Sequence, residues 1–336
     1  MAKGIERIYF RENCRRVHYS EPGGISEIPR IVDYYKEGFL RGIDGDLLRK
    51  MRPKVVLDLN HSPAGTVLPG LLSELACNVI ELNSHVSESR TGHSIEDLDR
   101  SLEQLSRIVV TLKASAGFCL DPSGERLWIV DETGLSLCET ESLVLLSALT
   151  CLSEESGSLV LPVSAPLVIE ELATASGLAV TRTKTDGRSV VESARKRGFH
   201  LAAAMDRRFA FPAFQPNFDA LFAVAKTLEL LTRTNRSFEE IRRTIPHRSY
   251  RHVQLPCSLE LKGGIMRKMS EDSGDLDASY IDGVKIRMNS DWILVLPDQF
   301  KPIAHIVVES SDEKRASSLL DTYVRKLDRR NQPLPH

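Results

Sequence analysis

Between Gly117 and Glu132 the chain gathers side chains with the chemistry to hold a divalent cation. An apolar run ends at Asp121, and Ser123, Glu125 and Arg126 occupy the turn that comes next. A second apolar run, Leu127–Val130, leads into Asp131 and Glu132. Mg²⁺ takes oxygen ligands in near-octahedral order, commonly one or two carboxylates completed by water and substrate phosphate. Asp121, Glu125 and the Ser123 hydroxyl are therefore the candidate metal ligands. Two carboxylates and one hydroxyl make a thin shell, so the expectation is weak Mg²⁺ binding at most.

Such a turn needs a sheet to hold it. From Lys54 onward short apolar runs alternate with helical periodicity: strands at Val55–Leu59 and Asn78–Leu82, a helix over Ser94–Lys113, strands at Gly117–Leu120 and Leu127–Val130, then a helix over Glu139–Leu152. That alternation implies a largely parallel sheet with right-handed crossovers. Glu155–Gly157 resets the pattern, and a second set of the same kind runs to His247, with strands at Leu159–Val163, Leu178–Arg182 and Leu201–Met205. Its helices include Asp219–Leu231 and Ser237–Thr244, the latter opened by a Ser237…Glu240 capping box. After Arg248 strands bunch without intervening helices (Gly283–Met288, Trp292–Leu296, Ala304–Val308), and a long helix begins at Glu313, as in an antiparallel α+β domain. In front of all this, Ile5–Phe10 reads as a short strand or docking segment, and Ile28–Met51 as helix broken near Gly42–Asp46. The domains expected are 1–52, a connector or helical arm; 53–154 and 155–247, two α/β units; and 248–336, α+β. The tail from Arg329 is expected to fray.

The bulk numbers narrow the function classes. Lys+Arg 44 against Asp+Glu 46 leaves a formal charge of -2, which gives no case for nucleic-acid binding. Six cysteines lie far apart with no C-x-x-C spacing, the usage of scattered core thiols in a reducing compartment. Neither a signal peptide nor a long apolar span is present, so a cytoplasmic location and no membrane partner are expected.

Val55–Gly65 followed by Val67–Pro69 resembles the opening of the second domain of the phosphohexomutases, the phosphomannomutase and phosphoglucomutase family. Thr181–Thr183 and Ser189–Val191 resemble their third domain, and Ile281–Lys285 with Trp292–Val295 their fourth. The resemblance implies an α/β protein of phosphohexomutase-like α/β/α domains plus a small α+β C-terminal domain, with the N-terminal serine domain missing. The front end is similar to the connector found where a mutase-like region is fused to a sugar-nucleotide transferase of the mannose-1-phosphate guanylyltransferase kind. That makes the chain either a piece of a longer protein or a degenerate paralogue.

The family's metal loop carries three aspartates at alternate positions, then arginine. Carried over, these fall on Asp121, Ser123, Glu125 and Arg126, with one carboxylate lost. The sugar-recognition loop, Gly-Gly-Glu in the family, falls on Ala202–Ala204, whose methyl groups accept no hydrogen bond. The phosphate loop falls on Leu296–Pro302, with Asp298 where phosphate would be repelled, Lys301 as the one remaining cation, and His305 at a later arginine. The phosphoserine on which the family's chemistry turns is absent, and phosphoryl transfer through it cannot run.

These losses imply a degenerate module without mutase activity alone, acting as a scaffold or regulatory unit of sugar-phosphate or sugar-nucleotide metabolism. The alternatives are a mutase completed by a missing serine domain, and a hexose-phosphate binder using Arg126 and Lys301. Arg182, with Arg188, frames a loop that could meet phosphate, and Lys285 could point at a cleft; solvated charge is the simpler account of the arginines. Arg207 and Arg208 beside Asp206 read as a surface cluster.

Overall fold

The computed structural model describes residues 2–12, 17–18, 20, 23–24, 26–87 and 95–331. Met1–Lys36 and Glu37–His336 are separate compact units. In the first, helix α1 (Ala2–Phe10) replaces the expected strand. Ile5, Ile8 and Tyr9 recur at the three- and four-residue spacing of a helix face, a period that the apolar content of the segment had masked. Helix α2 (Ile31–Arg41) and helix α3 (Gly45–Met51) are separated where the break was expected, and the Asp44 carboxylate caps α3 by accepting the Leu47 N–H.

The first α/β layer runs through strand β1 (Lys54–Asp58), a short 3-10 turn, helix α4 (Leu68–Glu74), β2 (Asn78–Leu82), α5 (Ile95–Leu112), β3 (Ala116–Leu120), β4 (Leu127–Val130) and α6 (Glu139–Ser153). The expected helix-opening Ser94 lies outside the described residues. The sheet order is β2-β1-β3-β4, with β1 parallel to β2 and β3, and β4 antiparallel to β3. Leu105 and Val109 of α5 close the core against Val56, Cys119 and Val130. Helix α6 is buried from Ser142 to Cys151 because it packs against other helices on several sides.

The second layer repeats the plan with β5 (Ser158–Pro162), α7 (Val168–Ala175), β6 (Ala179–Thr183), α8 (Gly187–Ala194), β7 (Phe199–Ala203), β8 (Phe209–Ala210), α9 (Ala220–Thr234) and α10 (Phe238–Thr244). Its order, β6-β5-β7-β8, mirrors the first sheet strand for strand. In each sheet the chain leaves a central strand in opposite directions on its two sides. Such a switch point opens a crevice beyond the strands' carboxyl ends. The Asp121 turn comes after β3 at one such edge, and residues 204–208 come after β7 at the other.

The third layer is an antiparallel sheet of β9 (Ser249–Pro256), β10 (Ala278–Ser279), β11 (Val284–Met288), β12 (Asp291–Pro297) and β13 (Ile303–Ser310), in the order β10-β11-β12-β13-β9. Helix α11 (Leu259–Asp272) and helix α12 (Glu313–Asn331) cover it. Ile286, Ile293, Val295, Ile306 and Val308 form its core with Ala316, Tyr323 and Leu327 of α12. The turn into β11 depends on Gly283, whose φ is +70° and whose missing Cβ would stand 2.3 Å from the Val295 carbonyl oxygen. Gly283→Ala therefore meets a left-handed backbone and a main-chain clash together. The expected loss is about 1–3 kcal/mol, read as a lowered midpoint in urea unfolding; an unchanged midpoint would show the turn to be adaptable.

Candidate functional site

Asp121 is buried to 7% exposure, and its turn is closed on itself. One carboxylate oxygen, Oδ1, accepts the backbone N–H groups of Glu125 and Arg126, each at 2.8 Å. The other, Oδ2, accepts the Ser123 hydroxyl and lies 3.6 Å from the Arg126 guanidinium. Gly124 takes a φ of +70° at the tip. The neighbouring acids are also matched. Arg126 bonds Asp206 Oδ2 at 3.1 Å, and Arg208 bonds Asp206 Oδ1 at 2.9 Å while standing 3.8 Å from Glu125. A Mg²⁺ shell requires lone pairs converging on one point. Here the Asp121 lone pairs face protein donors and the acids already hold guanidinium groups, so the set fits a salt-bridged turn better than a dication. Among the described residues, no group of three or more His, Cys, Asp or Glu side chains is arranged to hold a metal ion.

The turn is tied across to the second sheet. The Leu127 N–H donates to the Arg207 carbonyl at 3.0 Å, Arg126 and Arg208 form a bridge, and the Ala220 N–H donates to Gly124. This clamp corrects the reading of Arg207 and Arg208 as a surface cluster. Their side chains are only 17% and 22% exposed, with the Arg208 guanidinium 4.6 Å from the Phe218 ring centroid. Arg207 holds a φ of +65°, reaches over the Trp128 ring at 5.6 Å, and donates from one Nη to Glu139 at 2.9 Å. Its Nε is buried with no hydrogen-bond partner among the described residues. Burial holds its pKa below the ordinary arginine value, against the pull of Glu139.

Arg207 lines a cavity of about 570 Å³ where all three sheets meet. Thr140 and Glu139 come from the start of α6, Ser164 and Thr185 from the second layer, and Tyr250, His252 and His305 from the third. The wall is mixed polar and apolar, as small-molecule sites are. His305 is held from behind by Asp298, 3.2 Å from its Nε2, and its Nδ1 lies 3.0 Å from Nε2 of His252. Asp298 does not stand free to repel phosphate. Burial would raise its pKa, but the Lys301 and Phe300 N–H groups and His305 outweigh that and hold it at about 2. Lys301 lends this loop its backbone N–H, while its exposed side chain lies outside the cavity lining.

Two further candidates are structural rather than ligand-facing. Arg182 donates to Glu170 and to the carbonyls of Pro162, Ala165 and Pro166, which stitches the loop after β5. Lys285 is 5% exposed, donates to the Val163 carbonyl at 2.7 Å and sits 3.7 Å from the Trp292 ring centroid. It faces a junction of the second and third layers, not the cleft. Glu309, fully buried beside it, accepts the Leu167 and Trp292 N–H groups. His61 bonds the His85 carbonyl, and Asp282 accepts both polar hydrogens of Thr185. Ala202–Ala204, placed at the sugar loop by resemblance, are buried at the end of β7. Cys138, expected with the other cysteines to be a core thiol, is exposed instead, because it lines the cleft and its sulfur caps α6.

Residues 33–134 match the family described as phosphoglucomutase/phosphomannomutase, alpha/beta/alpha domain II, and residues 140–249 match domain III of the same family. Residues 33–249 thus carry the domain II and III architecture of the phosphohexomutase superfamily. Curated relatives include a phosphoglucomutase/phosphomannomutase of Thermococcus kodakarensis, 24% identical across 96% of this chain and 71% of its own length. A probable phosphoglucosamine mutase of Methanopyrus kandleri is 29% identical, covering 84% of this chain and 62% of itself. Among solved structures, a phosphoglucomutase/phosphomannomutase family protein of Burkholderia thailandensis superposes with a TM-score of 0.79 at 19% identity, over 99% of this chain and 70% of that one. The superposition extends the likeness of fold through the C-terminal α+β layer. No helix among the described residues is long and apolar enough to cross a membrane.

Two outcomes test this phosphohexomutase-like arrangement. Ser123→Ala removes a donor from the buried Asp121 carboxylate, and a loss of about 1 kcal/mol is expected in chemical unfolding; no loss would mean water replaces the hydroxyl. Burial, helped by Arg182, lowers the Lys285 pKa to about 7, while Glu170 and Glu309 pull it back up. An unfolded chain holds that amine near the ordinary lysine value, so between the two limits it binds the extra proton. This group's contribution to stability is therefore full above the unfolded value and shrinks as pH falls toward 7. The stability of the native chain relative to Lys285→Met is expected to rise between pH 7 and 9; a flat difference would show the amine to titrate normally.

Proposed function

We propose that this chain is a phosphohexomutase-derived module without mutase activity of its own, which keeps the inter-domain cleft as a sugar-phosphate site. It would serve as a regulatory or scaffolding unit of cytoplasmic sugar-phosphate or sugar-nucleotide metabolism. The observation that carries this reading is the Asp121 turn. Mutase chemistry, as the resemblance implies, moves phosphoryl between the 1- and 6-oxygens of a hexose through a phosphoserine and Mg²⁺. Here Ser123, Arg126 and Arg208 meet the carboxylates that would hold the metal. The sugar-loop position offers alanines. Binding, by contrast, has support in the buried Nε of Arg207, which lacks a hydrogen-bond partner among the described residues and lies in a cleft lined by hydroxyls. A buried donor without a partner invites an acceptor, and a guanidinium suits phosphate.

The relatives' lengths favour a second reading. This chain spans 71% and 62% of two of them, and a serine-bearing domain, in the same polypeptide or another, would complete a working mutase. A sugar-nucleotide transferase is the other partner class, from the resemblance of the front end to a fusion connector.

Incubation of the purified chain with glucose- or mannose-1-phosphate, the activating bisphosphate and Mg²⁺ is expected to yield no 6-phosphate; product would overturn the loss of activity. Calorimetry with glucose 6-phosphate is expected to show binding that Mg²⁺ leaves unchanged and that Arg207→Ala weakens about 10- to 100-fold. Absence of heat with the native chain would overturn the binding role. Product appearing only when a serine-bearing domain is added would establish the second reading.

A further inference from the structure

We propose that His252 and His305 form a binding site for a transition-metal dication of the Zn²⁺, Ni²⁺ or Cu²⁺ class, in the cleft wall and separate from the Asp121 turn. The sheet register sets the pair. β9 and β13 run antiparallel with His252 opposite Val307 and Gln254 opposite His305. Residues 305 and 307 share a face, so the two histidines are diagonal neighbours on one side of the sheet. Their rings lie 5.2 Å apart at an interplanar angle of 28°.

The carboxylate behind the pair makes this more than two adjacent rings. Asp298 is an acceptor, so His305 presents it with an Nε2–H, and the neutral ring then carries its lone pair on Nδ1. Without metal, that lone pair accepts the His252 Nε2–H at 3.0 Å; a dication bound between the two nitrogens takes the place of this proton, which moves to Nδ1 of His252. A carboxylate fixing the far nitrogen is the arrangement that orients metal-ligating histidines and raises their basicity.

Two nitrogens bound tetrahedrally at the usual Zn–N distance stand about 3.3 Å apart. The pair reaches that by opening a few tenths of an ångström, and His252, exposed on the edge strand β9, has room to turn. Both rings line the cavity of about 570 Å³, so an ion has a path in and its other positions open toward water or a bound ligand. Imidazole nitrogens suit Zn²⁺, Ni²⁺ and Cu²⁺, whereas Mg²⁺ takes oxygens, which separates this site from the family's cation chemistry. Metal capture by the two histidines does not depend on whether the cleft binds sugar phosphate.

The test is calorimetric titration of the full chain with Ni²⁺ and with Zn²⁺ at pH 7.5 in excess Mg²⁺. Every sample carries Cys138→Ser, so that the exposed thiol does not compete. One equivalent of each metal is expected to bind. His252→Gln and His305→Gln should each weaken binding at least 10-fold, and Asp298→Asn about 10- to 100-fold, whereas Lys301→Ala should leave it unchanged. Thermal unfolding without metal checks that each variant folds. Failure of the parent chain to bind either ion would overturn the assignment. So would a folded His252→Gln/His305→Gln double variant that binds as tightly as the parent.

Discussion

A buried carboxylate has to be neutralised, and in this chain the way Asp121 meets that demand organises the region around it. Removing an ionised group from water is costly unless donors or countercharges replace the lost hydration. The β3–β4 turn supplies two backbone N–H groups, a hydroxyl and a guanidinium. Because Arg126 also reaches Asp206, the first sheet is joined to the turn after β7. That turn then carries Arg208 back toward Glu125 and holds Arg207 in a left-handed conformation at the cleft. Where the family resemblance implies a metal, the protein's own cations bind two sheets together.

The junction of the second and third layers solves a similar problem with different groups. Glu309 and Lys285 are both buried, and both turn to peptide groups of residues 163–167. Tyr250 does the same, donating to the Ser164 carbonyl, and burial raises its pKa. Trp292 serves twice, as donor to Glu309 and as an aromatic face for the Lys285 amine. Lys285, expected to point at the cleft, instead helps secure the wall behind it.

Local signals in the sequence are sound where the physics is local. The strands of the first sheet, the break between α2 and α3, and the Ser237–Glu240 capping box all emerge from periodicity and neighbouring polar residues. Helix α1 runs against the expected strand because five apolar residues among nine suggest a strand until their spacing is counted. β9 starts at Ser249, where its sheet-edge position lets polar Arg251, His252 and Gln254 stand in a paired strand. The site is legible only in part. Asp121, Ser123, Glu125 and Arg126 do converge, since one turn contains them. The roles of Arg207 and Lys285 depend on partners far away in the chain, and no local pattern announces a partner 122 residues distant; even Arg182, whose partners lie within 20 residues, finds them only once β6 is beside β5. The pairing of His252 with His305 likewise exists only once β9 lies beside β13.

The layer junction is asymmetric in a way that bears on how such chains diverge. Side chains meet side chains at Thr185–Asp282, Glu171–Arg248 and Glu170–Arg287, but around residues 163–167 the side chains of Lys285, Tyr250 and Glu309 meet main-chain atoms of Val163, Ser164 and Leu167. Every residue carries a carbonyl, and every residue but proline an N–H. The loop's residue types can therefore drift while its path is kept, whereas the three opposing positions cannot change without leaving a buried group unmatched. Homologous chains that share these three contacts should vary along residues 163–167 and stay nearly invariant at the three opposing positions, a one-sided footprint by which the contact can be traced through divergent sequences.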